Sequence, residues 1–390
     1  MGSISMHITP STALPIRHFR ARVSCCSSGN FVFPPFVRIA CDCRIIVIVD
    51  CLMAFQIEKM LELISLLSIL EQSFVGKCSD YDWHVSFIKD VAATEPPMHL
   101  HHLLKVLQTR GETIISPGAK QGLIPLAIPL SKNSSGSVTA LLRWPTAPPG
   151  MDMPVVEVWR SGVRLIARNV DEYIHRILVE EDAQELTELY RASGEAGEKL
   201  YEKGAFAESE IDNLDVYVLK KVGLFPDLLE RKVLRHFDEG DHVSAMVTGE
   251  FYTKKDLFPG FGRPFVYYAN ILQKFILIRR VGRNVEAKDA ARVALRSPWW
   301  TLGCPYEEVA SIAQWEDEQI EFIREKVSDE GRFEDLHKGK APIQVALDVA
   351  AFLLDLASIE GTWSESLNHI AKCYEEAGLH HISNFVLYTD

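Results

Sequence analysis

"VTALLRWPTAPPGMDMPVVEVWRSGVRLIAR", residues 138–168, decides how this chain is read. It holds three short apolar runs rich in β-branched residues, "VTALLRW", "PVVEVWR" and "VRLIAR", each of which predicts a strand. The last two are separated by Ser161-Gly162. That two-residue connection predicts an antiparallel hairpin, because Gly can take the positive φ such turns need. Between the first two lie Pro145, Pro148, Pro149 and Pro154. Pro145-Thr146-Ala147-Pro148 also spells PxxP and resembles a PTAP sorting peptide, but a PxxP ligand usually sits in a flexible polar tract. Here the prolines join two strands, where a meander must reverse and the missing N–H does no harm. The stretch is therefore predicted to be a loop in a small antiparallel sheet.

Working outward, "MHLHHLLKVLQTRG" (98–111) predicts an amphipathic helix stopped by Gly111, followed by a turn at "SPG" and an extended run "LIPLAIPL". After the sheet, "NVDEYIHRILVEEDAQELTELY" predicts one long helix, with Asn169 as cap and Glu172 completing a capping box. Helices are predicted over 208–222, 226–249, 268–280, 285–297, 305–328, 341–359 and 363–377, the last with a Thr362/Glu365 capping box and Gly378 as its stop. The run "IQVALDVAAFLLDLASI" (343–359) is apolar nearly all round; Asp348 and Asp355 within it point to a central bundle helix rather than a membrane span. The fold class is thus α+β: a small antiparallel sheet with flanking helices, then a mainly helical domain. "SGEAG" (193–197) marks the expected boundary, giving an α+β domain over 79–194 and a helical domain over 195–390.

The N-terminal part differs from the rest of the chain. Residues 1–30 are rich in Ser and Thr, carry Arg17, Arg20 and Arg22 and contain no acid, which is the composition of an organellar transit peptide. Residues 31–78 hold apolar runs interrupted by Asp50, Glu58, Lys59 and Glu62, too early for the roughly twenty residues of a bilayer span. An amphipathic helix over 55–72 is expected there, with a gene-model artefact as the standing alternative. Of the eight cysteines, only Cys304 and Cys373 lie beyond residue 78, and no C-x-x-C occurs; the body suits a reducing compartment. The net charge is −12, and residues 1–78 carry seven basic against five acidic residues, so the acidity belongs to the body. Such a field disfavours nucleic acid and anionic membrane as partners and suits an electropositive protein surface.

No catalytic pattern stands out. His99, His101 and His102 form the densest histidine cluster, but no further metal ligands suggest themselves beside them. His236, Asp238, Asp241 and His242 in "HFDEGDH" match neither H-E-x-x-H nor an EF-hand, and Gly240 reads as a helix break. "FPGFGRPF" (258–265) has glycines near Arg263 but lacks the P-loop order, so it predicts a turn packed with aromatics. Cys304 and Cys373 have no evident partner base. No catalytic residue, cofactor-binding residue or metal ligand is assigned. Aromatics are enriched at interaction hot spots as well as in cores, and four are chosen as partner-binding candidates: Trp144 and Trp159 on the sheet, Trp299 and Trp300 in the helical part. An enzyme with a site between the domains, using His236, Asp238 or His242, is the alternative function class.

The stretches over 98–132, 138–158 and 163–183 resemble a plant family whose members carry the label cyclin delta-3 and include a chloroplast ATPase biogenesis factor. The cyclin label has no counterpart in the residues, which lack paired cyclin-type helical repeats. The resemblance implies a chaperone-like assembly factor of the chloroplast stroma. By it, such a factor binds the γ subunit of the ATP synthase and helps it enter the catalytic head, with no catalytic residues to carry over. Residues 31–77 depart from the family pattern.

Overall fold

The meander predicted from residues 138–168 forms the centre of a five-stranded antiparallel sheet in the order β1-β2-β3-β4-β5: Thr113–Ile114, Ala127–Lys132, Val138–Leu142, Val155–Trp159 and Gly162–Ala167. The computed structural model describes residues 80–147, 151–279, 283–315 and 317–390, all within one compact unit, Ser73–Asp390. The transit-peptide-like segment 1–30, the apolar segment up to residue 78 and residues 148–150 of the proline loop lie outside the described residues. β3 is buried at every position, which is why its sequence is apolar throughout instead of alternating. Pro129 sits in β2 beside a register shift between Pro129 and Ser131, where a proline's missing N–H is tolerated.

The hairpin differs in one detail. Trp159 pairs with Gly162, so the connecting residues are Arg160-Ser161, and Gly162 is the first residue of β5 without a positive φ. Glycine is used there for close approach: a Cβ on Gly162 would lie 2.2 Å from the backbone oxygen of Trp300. The absent side chain lets the 3-10 turn Trp299–Thr301 pack directly onto the sheet.

The described helices are α1 Asp80–Asp90, α2 Leu100–Thr109, α3 Val170–Asp182, α4 Glu188–Leu200, α5 Leu214–Lys221, α6 Pro226–Asp238, α7 His242–Tyr252 and α8 Arg263–Arg279. They continue with α9 Asn284–Ala294, α10 Tyr306–Ala313, α11 Glu318–Val327, α12 Asp329–His337, α13 Pro342–Glu360, α14 Trp363–Glu376 and α15 His380–Leu387. Asn169 caps α3 as expected, its side chain accepting from the Glu172 N–H at 2.8 Å. The helix predicted to run on to Tyr190 instead stops at Asp182, with Glu185 at φ 57°. The Glu181 carboxylate then accepts from the N–H groups of Leu189 and Tyr190 at 2.6 and 2.7 Å, capping α4 from a preceding helix. "SGEAG" lies inside α4, which kinks at Gly194. The helix predicted over 226–249 is likewise two, parted at Gly240 (φ 77°), and that over 305–328 is parted after Gln314 (φ 52°). Thr362 makes no side-chain cap; Gly378 does end α14 in a positive-φ conformation.

Two hydrophobic cores result. One joins the sheet and its flanking helices to α13, α14 and α15, from Phe87 to Val386. The other gathers residues of α6 to α11, from Val233 to Ile323. α13 is long and apolar enough to cross a membrane by composition alone, yet half of it is buried in this fold, with Val345, Val349, Leu353 and Leu354 in the first core and Phe352 and Leu356 packed on the second. It is the shared wall of both.

Candidate functional site

Three of the four candidate tryptophans line one cleft. Pro298, at φ −54°, leads into the 3-10 turn that buries Trp299 and Trp300, and Trp300 lies 5.2 Å, ring to ring, from Trp144 at the end of β3. Phe261 meets Trp144 edge-on at 5.7 Å, and Gly260 (φ 83°) lies against the indole ring, where a Cβ would come within 3.0 Å of it. "FPGFGRPF" is thus the aromatic turn its composition predicts, buried at Phe258 and Phe261. Arg263 turns away from any phosphate role into an ion pair with Glu230 at 2.9 Å.

These tryptophans wall a cleft of about 710 Å³, closed on the other sides by Phe322 and Ile323 of α11 and by the Leu347, Phe352 and Asp355 face of α13. Pro145 and Thr146 form part of its rim, so the described part of the proline loop is a lip of this cleft. Its volume falls in the roughly 300–1,000 Å³ range of binding clefts, and apolar walls with few polar groups are their usual lining. Phe322 is 46% exposed at its mouth. Trp299 and Trp300 are 5% and 3% exposed, and so act as walls; Trp144 is half-buried. Trp159 stands apart on the β4–β5 hairpin, half-buried, with its indole N–H donating to Ser161 Oγ at 2.9 Å.

Polar groups interrupt these walls: Thr146, Ser297, Gln319 and Gln344, and the carboxyl of Asp355. Asp355 is 8% exposed, and its Oδ1 accepts from the backbone N–H of Trp299 at 2.7 Å. Its other oxygen is not among the buried side-chain atoms left without a partner, and burial pushes its carboxyl up to about 8. Arg296, exposed, and Tyr374, buried, also line the cleft, but no ion pair joins Arg296 to Asp355.

The histidine candidates are placed elsewhere. His99 is buried and pairs through Nδ1 with Asp171 at 2.8 Å, tying α2 to the start of α3. His101 packs edge-on against Tyr81 at 4.7 Å, and burial lowers the pKa of both His101 and His102. Asp241 caps α7 by accepting from Ser244 N–H at 3.0 Å, with His236 4.0 Å from its carboxylate and Asp238 exposed. Among the described residues, no three His, Cys, Asp or Glu are grouped to hold a metal ion. Burial raises the pKa of both thiols, Cys304 to about 11, so neither is primed as a nucleophile.

Family models describe successive parts of the chain: a PAB N-terminal model matches residues 82–221, a PAB middle domain 226–316 and a PAB C-terminal domain 320–388. The chain is 85% identical, over 390 residues and the whole of both chains, to the Arabidopsis thaliana protein named Protein IN CHLOROPLAST ATPASE BIOGENESIS, chloroplastic. The chain belongs to the PAB family. None of these descriptions carries the cyclin label, so that part of the family expectation falls away. No solved structure matches the chain. In PAB terms the cleft is composite, with Trp144 from the N-terminal part, Trp299 and Trp300 from the middle domain, and Phe322 and Asp355 from the C-terminal domain.

Proposed function

We infer that this PAB protein is a non-enzymatic assembly factor of the chloroplast ATP synthase, acting in the stroma, that binds the γ subunit and promotes its entry into the catalytic head. The observation that carries this reading is full-length, 85% identity to a relative named for chloroplast ATPase biogenesis. The cleft supplies a physical means. A γ subunit outside its ring of partners exposes long apolar helices, and an aromatic-walled groove shields such a surface from aggregation. The acidic body, within a chain of net charge −12, favours encounter with an electropositive partner. Trp144 and Phe322 are the contact residues at the mouth, and Trp299 and Trp300 the walls behind them. The mechanism is holding and handing over, with no bond made or broken.

Light scattering of γ diluted from denaturant, with and without the protein, tests this. The protein suppresses aggregation of γ near equimolar ratio. Equal suppression for an unrelated aggregating chain, or none for γ, sinks the reading.

A further inference from the structure

We propose that the cavity floored by Lys120, at the N-terminus of α14, binds one small carboxylic acid with an apolar body, the carboxylate meeting the Lys120 ammonium and the body lying against Trp363 and Leu367. This cavity shares no lining residue with the tryptophan cleft, and the proposal does not depend on the γ reading.

Lys120 is buried in an unusual way. It is 5% exposed, yet it forms no ion pair with a described residue, and no charged neighbour offsets its burial. Lysine is almost never buried this far without an acid partner. Its Nζ donates to the Phe385 carbonyl at 2.7 Å and lies 3.7 Å from the centre of the Phe385 ring. That carbonyl belongs to the last turn of α15, so the bond helps to close the helix. An ammonium has three N–H donors, however, and closing the helix takes one. The same side chain lines a cavity of about 360 Å³, where its charge can be met from outside.

The rest of the cavity has the same electrostatic sign. No acid among the described residues lines it, in a chain of net charge −12. Trp363 and Ser364 open α14, a helix of 14 residues, and Thr362 makes no side-chain cap there. Uncapped first-turn N–H groups and the positive end of the helix dipole therefore border the same space as the ammonium. Gln121, Ser364 and Thr389, exposed at the rim, add neutral donors. Burial lowers the Lys120 amine to about 7, the response of a cation without a counter-charge, and a bound carboxylate supplies that charge. The remaining walls are apolar, formed by Leu123, Pro125, Trp363, Leu367 and Val386. Such a surface accepts one anionic head on an apolar body. Inorganic phosphate brings no apolar body, and an amino acid brings an ammonium for which the cavity has no acid.

Calorimetric titration of the full-length protein with phenylacetate tests this, beside the neutral isostere phenylacetamide, phenylalanine and inorganic phosphate. Phenylacetate binds with a Kd of about 1 mM or below, and the other three bind about tenfold more weakly or not at all. Lys120→Met keeps the apolar stem, removes the charge and weakens phenylacetate about tenfold or more. Because that variant also gives up the Phe385 bond, Gln121→Glu at the exposed rim provides a second reading: it folds as wild type and weakens phenylacetate about threefold by like-charge repulsion. No binding of phenylacetate to folded wild type overturns the site. Undiminished binding by folded Lys120→Met, or by Gln121→Glu, does the same. Phenylacetamide, phenylalanine or phosphate binding as tightly as phenylacetate overturns the assignment of an apolar acid.

Discussion

Replacing Asp355 by Asn stabilises the fold, and the gain grows with pH. In the unfolded chain the Asp355 carboxyl ionises near its ordinary value of 3.8, while in the folded cleft burial holds it protonated up to about 8. The folded state therefore binds more protons than the unfolded state between these values, and stability falls as pH rises through that window. Below about pH 4 both states are protonated and the carboxyl costs nothing. Each pH unit above that removes about 1.4 kcal/mol, so the cost is about 3 kcal/mol at pH 6 and about 5–6 kcal/mol at pH 8, where it levels off. Asn keeps the hydrogen bond from the Trp299 N–H and never ionises, so it escapes this loss. Urea unfolding of wild type and Asp355→Asn from pH 4 to 8 measures the difference directly. The two stabilities converge near pH 4 and diverge with a slope of about one proton. Parallel curves across this range would show that the carboxyl is not held neutral in the cleft.

Other expectations rest on single contacts. Gly162→Ala places a methyl 2.2 Å from the Trp300 oxygen, between backbones that cannot both yield; it costs about 1–3 kcal/mol or more and displaces the 3-10 turn, seen as a lower urea midpoint and altered tryptophan fluorescence. An unchanged midpoint would refute the close approach. Asn169→Ala removes the cap of α3 and costs about 1 kcal/mol, whereas Asn169→Asp is nearly neutral in the same assay. Glu230→Ala leaves the largely buried Arg263 without its carboxylate partner and costs about 3 kcal/mol in urea unfolding; a loss within error of zero would show that the pair contributes nothing. Phe322→Glu, at a half-exposed site, leaves stability within about 0.5 kcal/mol of wild type but abolishes γ retention; retained binding would move the interface away from the cleft.

The parts of the fold that the sequence announces are those where local chemistry is self-sufficient. The β3–β4–β5 meander follows from three β-branched runs and their Pro and Gly punctuation, and the start of α3 from Asn169. Helix breaks are legible where glycine or proline makes them, as at Gly240, Pro226 and Pro298. Glu185 and Gln314 take positive φ with side chains that ordinarily favour helix, so the splits after α3 and α10 leave no mark in composition. Gly162 was visible, but its purpose was not: close approach to Trp300 depends on a segment over a hundred residues away. The cleft was half legible. Its tryptophans drew attention as aromatics near prolines, yet whether such residues form walls or surface is decided by packing. Asp355 entered only as an argument against a membrane span, because one acid in an apolar helix says nothing of the open space beside it. Phe322 lies in a polar stretch and gave no signal.

Selective binding of γ is the central claim. Capture of separately prepared γ, α and β subunits on the immobilised full-length protein tests it most directly. γ is retained, and α and β are not. Retention of none of the three by folded protein, or of all three alike, contradicts the account.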